Sequence, residues 1–454
     1  MLKAEAWVTT HDLTKRLEND QVLHWKHAED ARDDRYQISV NAAKVYQEMD
    51  GFGASFTDAS AWLIHERLNE STRSEVMKKL FDRNEGIGMT FIRQPMGACD
   101  FNDEIYSYND LPDNETDFAL EQFSIEHDQR HIIPLLQEAL HISSDIKIMA
   151  SPWSPPGWMK TSGQMIGGRL KPECYGVYAE YFVRFIHAYE REGITIYAVT
   201  PQNEPGYEPA QYPGMLMTAE EQIEFIKHLG PAFRHNHIFA LIMCYDHNWD
   251  VIDYSQKVLG NTEINKYIAG SAWHCYGGKH ETMSVIQQQF PDKGIWFTEA
   301  SGGEWIPPTR AAFSDQMKHV IRCSRNGSKS IVWWNIALDE KNGPTVLRKS
   351  TCRGLLRINR ETGEVEYNLD YYTLGHISKF VEPGAVRIDS NTYEDQLETA
   401  AFRNPDGTII LIASNRTSDY KSLEIQIDTE RFVYEIPGDS AATLRFKAFG
   451  HTEM

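Results

Sequence analysis

The chain has 454 residues, 41% hydrophobic and 24% charged, with a formal net charge of −20. That length exceeds one ordinary core and suits a large barrel with an appendage. The acidic balance disfavours nucleic acid and anionic membranes as partners, and no run approaches the ~20 apolar residues of a membrane span.

The start, Met1–Val8, lacks the apolar stretch of a secretory signal. The six cysteines are scattered without a CxxC pair, against both a disulfide framework and a structural zinc site. Together these features predict reduced thiols and a cytoplasmic location.

Residues 1–45 carry two strand-like runs, Ala4–Thr10 and Tyr36–Val40. Strand-like runs then alternate with helix-length segments. The first four strands are Gly51–Phe56, Met89–Pro95, Ile146–Pro152 and Tyr197–Pro201; the next four are Ile238–Tyr245, Ile268–Trp273, Ile295–Thr298 and Ser330–Asn335. Several are near-continuous apolar runs, as parallel strands covered on both faces require. Tyr178–Tyr189 has the amphipathic spacing of a helix that covers a sheet.

Eight such units predict an α/β fold, a (β/α)8 barrel over residues 46–381. Beyond Glu382-Pro-Gly384 the pattern changes to short strands with turn signals: Leu397–Phe402, Thr408–Ala413, Leu423–Ile427 and Ala442–Phe446. This reads as an all-β sandwich over 382–454, short for an independent one, so that 1–45 is predicted to complete it from the other terminus.

Two glutamates stand at strand ends: Glu204 in Thr200-Pro-Gln-Asn-Glu-Pro205 and Glu299 in Trp296-Phe-Thr-Glu-Ala-Ser301. They would end strands four and seven on one face of the barrel. Cleavage of a glycosidic bond needs such a pair, one carboxyl protonated to release the leaving oxygen and one ionised to attack the anomeric carbon. Each alone has a plain alternative, since Asn-Glu-Pro is an ordinary turn and a strand-end acid often caps the next helix. Glu304 competes with Glu299 but lies past Gly302 and Gly303, away from the strand end.

Asn203, just before Glu204, can donate to a sugar hydroxyl. Trp153 and Trp158 sit in a proline-stiffened loop, and an indole face packs on a sugar ring. Trp273, His274 and Tyr276 follow strand six; Trp333, Trp334 and Asn335 end strand eight. Of these, His274, Tyr276, Trp153 and Trp334 are assigned with Asp100 and Asn203 to substrate binding. Arg93 reads equally as a structural ion pair or a ligand contact. Cys99 and Cys275 read as packed thiols. The histidines show no HExxH or other close metal-ligand spacing, and there is no P-loop, GxSxG or GxGxxG after a strand. No metal or cofactor is expected.

At these residues the chain resembles glycoside hydrolase family 30, the clan-A family that contains lysosomal glucosylceramidase. The resemblance runs nearly end to end. It passes through Gly51-Phe-Gly-Ala-Ser-Phe-Thr-Asp-Ala59, Arg93-Gln-Pro-Met-Gly-Ala-Cys-Asp-Phe101 and Ala150-Ser-Pro-Trp-Ser-Pro-Pro-Gly-Trp158. It continues in Ala198-Val-Thr-Pro-Gln-Asn-Glu-Pro205, Trp273-His-Cys-Tyr276, Trp334-Asn-Ile-Ala-Leu338 and Leu374-Gly-His-Ile-Ser-Lys-Phe380. It implies a barrel with a two-terminus sandwich, Glu204 as acid/base, Glu299 as nucleophile, and Asp100, Trp153, Asn203, Tyr276 and Trp334 around the −1 sugar. Cys275, aromatic in the lysosomal enzyme, and the divergent segment Asp339–Asn368 place the departures at the rim.

The resulting expectation is a retaining β-glycosidase acting on small β-glucosides, with xylosides and fucosides as further substrates. The alternatives are action on a glycolipid, transglycosylation, and a non-catalytic carbohydrate-binding barrel. Catalysis would require Glu204 to be raised in pKa.

Overall fold

The computed structural model describes residues 3–24, 35–307, 310–427 and 430–447; the outer ends of the two predicted sandwich segments and the stretch 25–34 lie outside them. Eight parallel strands close into a barrel in chain order: Gly51–Ser55, Phe91–Pro95, Lys147–Ser151, Ile196–Val199, Leu241–Asn248, Ile268–His274, Gly294–Glu299 and Ser328–Asn335, the last pairing with the first. The observed bounds fall within about three residues of the predicted ones.

Period-2 alternation explains how the barrel is filled. Phe91, Met149, Ala198, Met243, Ala272, Trp296 and Val332, one from each of strands two to eight, form a closed apolar layer inside it. The first strand contributes Gly53 there. A Cβ on it would sit 1.8 Å from the Phe91 carbonyl oxygen, so this position admits no larger residue. The alternate residues, such as Phe52, Ile92, Ile148 and Phe297, face outward into the main core under the helices. Tyr175–Arg191 is one of those helices, longer at both ends than the amphipathic run read from sequence.

The second domain is one nine-stranded sheet curled around its own core. Its N-terminal members are Lys3–Thr10, Arg16–His24 and Tyr36–Glu48; the rest run from Val386–Ser390 to Ser440–Lys447. Lys3–Thr10 pairs with Ser440–Lys447, and Tyr36–Glu48 lies between Val386–Ser390 and Lys421–Ile427. Arg16–His24, Val386–Ser390 and Glu430–Ile436 escape the sequence reading.

His376, fully buried on helix Leu369–Ser378, fastens the two domains. Its Nδ1 meets Thr443 Oγ1 and its Nε2 meets Thr9 Oγ1, both at 2.9 Å. The Thr443 hydroxyl donates to the His376 carbonyl and Thr9 Oγ1 accepts from the Leu17 amide. Nδ1 therefore carries the proton and Nε2 accepts, a neutral tautomer with no place for a second proton.

Burial accordingly depresses the pKa of His376 from 6.5 to about 3. An unfolded chain takes up a proton below pH 6.5 that the folded one refuses. Stability from this group is thus complete above 6.5 and is lost on acidification toward 3, at up to about 1.4 kcal/mol per pH unit. His376→Gln should flatten the acid limb of the thermal midpoint against pH; an unchanged slope would place the acid sensitivity elsewhere.

Candidate active site

One pleat above the apolar layer, the inward positions turn polar: Arg93, Ser151, Thr200, His274 and Thr298 sit two residues after Phe91, Met149, Ala198, Ala272 and Trp296. Strand five breaks this rhythm. Tyr245 and Asp246 both have positive φ, 73° and 72°, and the ladder to strand six slips between Tyr245 and His247. The irregularity re-aims the chain so that Asp246, rather than Tyr245, enters the barrel.

Asp246 is the hub of the polar layer and has no solvent exposure. Its Oδ2 lies 2.9 Å from Arg93 Nη2, 2.8 Å from Ser151 Oγ and 2.9 Å from Thr200 Oγ1. Its Oδ1 lies 3.0 Å from His274 Nε2 and 2.7 Å from Thr298 Oγ1. Burial opposes its charge, but Arg93 and His274 outweigh burial and hold its pKa well below the usual carboxylate range. Sequence reading missed Asp246; an acid directly after a buried strand was the available signal.

Arg93, equally buried, also donates from Nη1 to Glu299 Oε2 at 2.6 Å and from Nη2 to Asn203 Oδ1 at 2.7 Å. Of the two readings of Arg93, the structure shows the ion pair, and its full burial leaves no guanidinium surface for a ligand. Tyr276 donates its hydroxyl to the other oxygen of Glu299 at 2.8 Å. Both Glu299 oxygens thus accept from fixed donors, an environment suited to a carboxylate.

Glu204 lies five residues beyond its strand, at φ 46°, its amide bonded to the Asp246 carbonyl at 3.0 Å. His274 Nδ1 is 3.1 Å from Glu204 Oε1, and His247 Nε2 is 3.7 Å from the same atom. Burial pulls the pKa of His274 down, yet the Glu299 and Asp246 carboxylates raise it to about 9. Burial pushes Glu204 up, but its bond to this imidazolium and the imidazolium's charge leave it below its ordinary value. The free site therefore inverts the sequence expectation of a raised Glu204, because the proton rests on His274. His274 also has no exposed side-chain surface, so it acts on the two carboxylates from behind rather than on a sugar directly, which corrects its assignment to substrate binding.

Oxygens of Glu204 and Glu299 approach within 4.8 Å of each other. That approach is nearer the roughly 5–5.5 Å separation of a retaining pair than the roughly 6.5–9.5 Å of an inverting one.

The other predicted residues converge on the same cleft. Trp153 and Trp334 stack at 4.9 Å and both lie over the Arg93 guanidinium. They form a small cluster with Cys99 and Phe101, against which Tyr212, absent from the sequence reading, packs. Burial, reinforced by Glu299, raises Asp100 to about 8, and its buried Oδ1 has no hydrogen-bond partner. The divergent segment reaches the rim here: Thr345 Oγ1 donates to the Asp100 carbonyl.

Four sequence candidates lie elsewhere. Trp158 donates to Asn109 and Trp273 to Ser271, inside the core. Glu304 is exposed, 3.9 Å from Lys349. Cys275 turns away from the cleft to pack on the main core, where burial and then Asp315 raise its thiol pKa; it does not shape the rim. Among the described residues, four groups of His, Cys, Asp and Glu bring three ligand atoms within 4.8 Å, one of them being Glu204, His274 and Glu299.

A profile described as the glycosyl hydrolase family 30 TIM-barrel domain matches residues 49–381, and one described as the family 30 beta sandwich domain matches 384–444. The chain is 33% identical to the lysosomal acid glucosylceramidase of Mus musculus, over 89% of this chain and 82% of that protein. It is 30% identical to the endo-1,6-beta-D-glucanase BGN16.3 of Trichoderma harzianum, over 83% and 79%. The solved structure of the endo-beta1,6-glucanase BT3312 superposes with a TM-score of 0.89 at 31% identity, covering 98% of this chain and all of that one. SrfJ from Salmonella typhimurium superposes at 0.91, with 27% identity and the same coverage.

Arg93→Met should remove the guanidinium from the buried carboxylates of Asp246 and Glu299. Losing one partner of a buried ion pair costs about 3–5 kcal/mol, read as a lower midpoint in urea unfolding. A midpoint within error of the parent would show that the carboxylates do not depend on the guanidinium.

Proposed function

The chain belongs to glycoside hydrolase family 30 and is a retaining glycosidase of β-linked glycosides, and on that premise we propose that Glu299 is its nucleophile, Glu204 its acid/base and a β-glucosyl unit the group transferred. The observation that carries the role assignment is the asymmetry of hydrogen-bond partners. Glu299 is held by a guanidinium and a phenol, neither of which gives up its proton near neutrality, whereas Glu204 is bonded to a titratable imidazole.

In the first step a Glu299 oxygen bonds to the anomeric carbon as the bond to the leaving oxygen breaks. That oxygen takes the proton held by the Glu204–His274 pair. As the covalent bond consumes the charge on Glu299, His274 loses one of the carboxylates that raises its pKa, which drives the proton through Glu204 to the leaving group. Water then attacks the glycosyl-enzyme, giving its proton back to the pair, and Glu299 departs as the carboxylate. His274 is a positioning residue in this scheme.

Asp100, neutral below about pH 8 and with a free buried oxygen, is the group proposed to meet a sugar hydroxyl, with Asn203, Trp153, Trp334 and Tyr276 around the ring. The glucosyl preference draws on the names of the mouse and Trichoderma relatives, a glucosylceramidase and an endo-1,6-beta-D-glucanase. The six unpaired cysteines support a reducing, cytoplasmic location.

Three measurements test these assignments. On a panel of 4-nitrophenyl β-glycosides the glucoside should be cleaved best, with the β-anomer as first product by NMR; preference for the xyloside or fucoside would replace the glucosyl reading. Glu299→Gln should abolish turnover. Glu204→Ala should lose about 10²–10⁴-fold on poor leaving groups yet still show a burst with activated ones, relieved by azide; equal losses on both would remove it as the acid.

The alkaline limb of kcat/KM reports the free enzyme, and here it should lie near pH 9, where the shared proton leaves. In His274→Gln it should fall toward the carboxylate range. A limb that stays in place would assign the proton to another group.

A further inference from the structure

We propose that Asp58, His127 and His131 form a binding site for a divalent metal ion, with the ligand chemistry of zinc, outside the catalytic cleft. Asp58 opens the short helix Asp58–Trp62 that follows the first barrel strand. His127 lies on helix Glu126–Gln129, and His131 is the cap residue of helix Ile132–Ile142. The pair His127-x3-His131 is a close ligand spacing after all, one that sequence reading passed over; it stands out only once Asp58, 69 positions away, is brought beside it.

Both imidazoles present the same nitrogen to the same oxygen. His127 Nε2 is 3.0 Å and His131 Nε2 3.5 Å from Asp58 Oδ1, and the three atoms lie within 4.8 Å of one another. Zinc bonds of about 2.0–2.1 Å in tetrahedral array separate ligand atoms by roughly 3.3 Å, so an ion fits between them with small side-chain shifts. Two neutral nitrogens and one carboxylate are a donor set zinc accepts, with a fourth position for water.

One outer nitrogen faces a carboxylate: His127 Nδ1 is 3.3 Å from Glu104 Oε1. His131 Nδ1 is buried without a hydrogen-bond partner, Glu66 Oε1 being 3.9 Å away and bonded to His65 Nδ1. A carboxylate behind a ligating imidazole fixes its tautomer and raises its basicity. The His127 ring is further held by stacking on Tyr106 at 3.5 Å. Both histidines keep 12–13% of their side-chain surface exposed, which leaves an entry for the ion. The Ala59 amide, next to Asp58, donates to the Phe101 carbonyl at 3.1 Å, so the ion would brace the loop that carries Asp100.

The test uses the full chain, stripped with a chelator and dialysed, then titrated with zinc by calorimetry and with cobalt by visible absorption. One ion per chain should bind, with the intense d–d bands of four-coordinate cobalt, and zinc should raise the thermal midpoint. Glu104→Gln, an exposed change that leaves the fold alone, should weaken binding about 10–100-fold. His131→Gln should weaken it further and abolish the zinc-dependent thermal shift. Absence of stoichiometric binding, or binding that neither substitution alters, would overturn the proposal and leave the cluster a carboxylate satisfied by two imidazoles. A thiolate-to-cobalt charge-transfer band would overturn it too, by moving the ion to His280, His319 and Cys323, another close group in the fold.

Discussion

A guanidinium with no access to water organises the face of the barrel where the strands end. Arg93 is surrounded by Asp246, Glu299 and Asn203 on its polar side and by the faces of Trp153 and Trp334 on the other. A charge so placed is tolerable only because two carboxylates neutralise it and every bond is short. The same demand fixes the carboxylates. Glu299 cannot turn without leaving the cation, and Asp246 cannot leave without exposing both Arg93 and His274. The precision of the cleft follows from the cost of leaving any of these charges unpaired.

The arrangement also links Glu204 to Glu299. His274 draws its basicity from Glu299 and Asp246 and gives its hydrogen bond to Glu204. A change of charge at one carboxylate is thereby felt at the other through an imidazole, without motion of the backbone. Three residues at this face, Glu204, Tyr245 and Asp246, occupy left-handed conformations that cost of order 1–3 kcal/mol each. Five polar groups around Asp246 and the Glu204 amide bond to its carbonyl hold them there.

Much of this was legible before the structure. The barrel strands announce themselves as buried apolar runs, and Glu204 and Glu299 are visible because each closes one. Asp246 was not legible, because simple alternation after Met243 points Tyr245 inward and only the irregular backbone reverses that. His274 was assigned to the sugar because its position is at a strand end; its complete burial is a property of packing that the sequence does not print. The sandwich was half read: Val386–Ser390 and Glu430–Ile436 are as strand-like as their neighbours but carry charges at Arg387, Asp389, Glu430, Arg431 and Glu435 that dilute the apolar pattern. His127 and His131 needed Asp58, and only the fold supplies it.

The curled sheet that joins residues 3–48 to residues 386–447 has a consequence for how the chain is made. Tyr36–Glu48 pairs in parallel with Lys421–Ile427, so its partner emerges from the ribosome only after the whole barrel has been synthesised. The barrel can assemble as its successive strand–helix units appear, since each strand pairs with the one just before it. The first strands must meanwhile remain as an open edge, unpaired on the side their late partners will occupy. Closure of the sandwich therefore waits until the barrel has been made, and until then the strands that precede the barrel stay open to other binding partners along that edge.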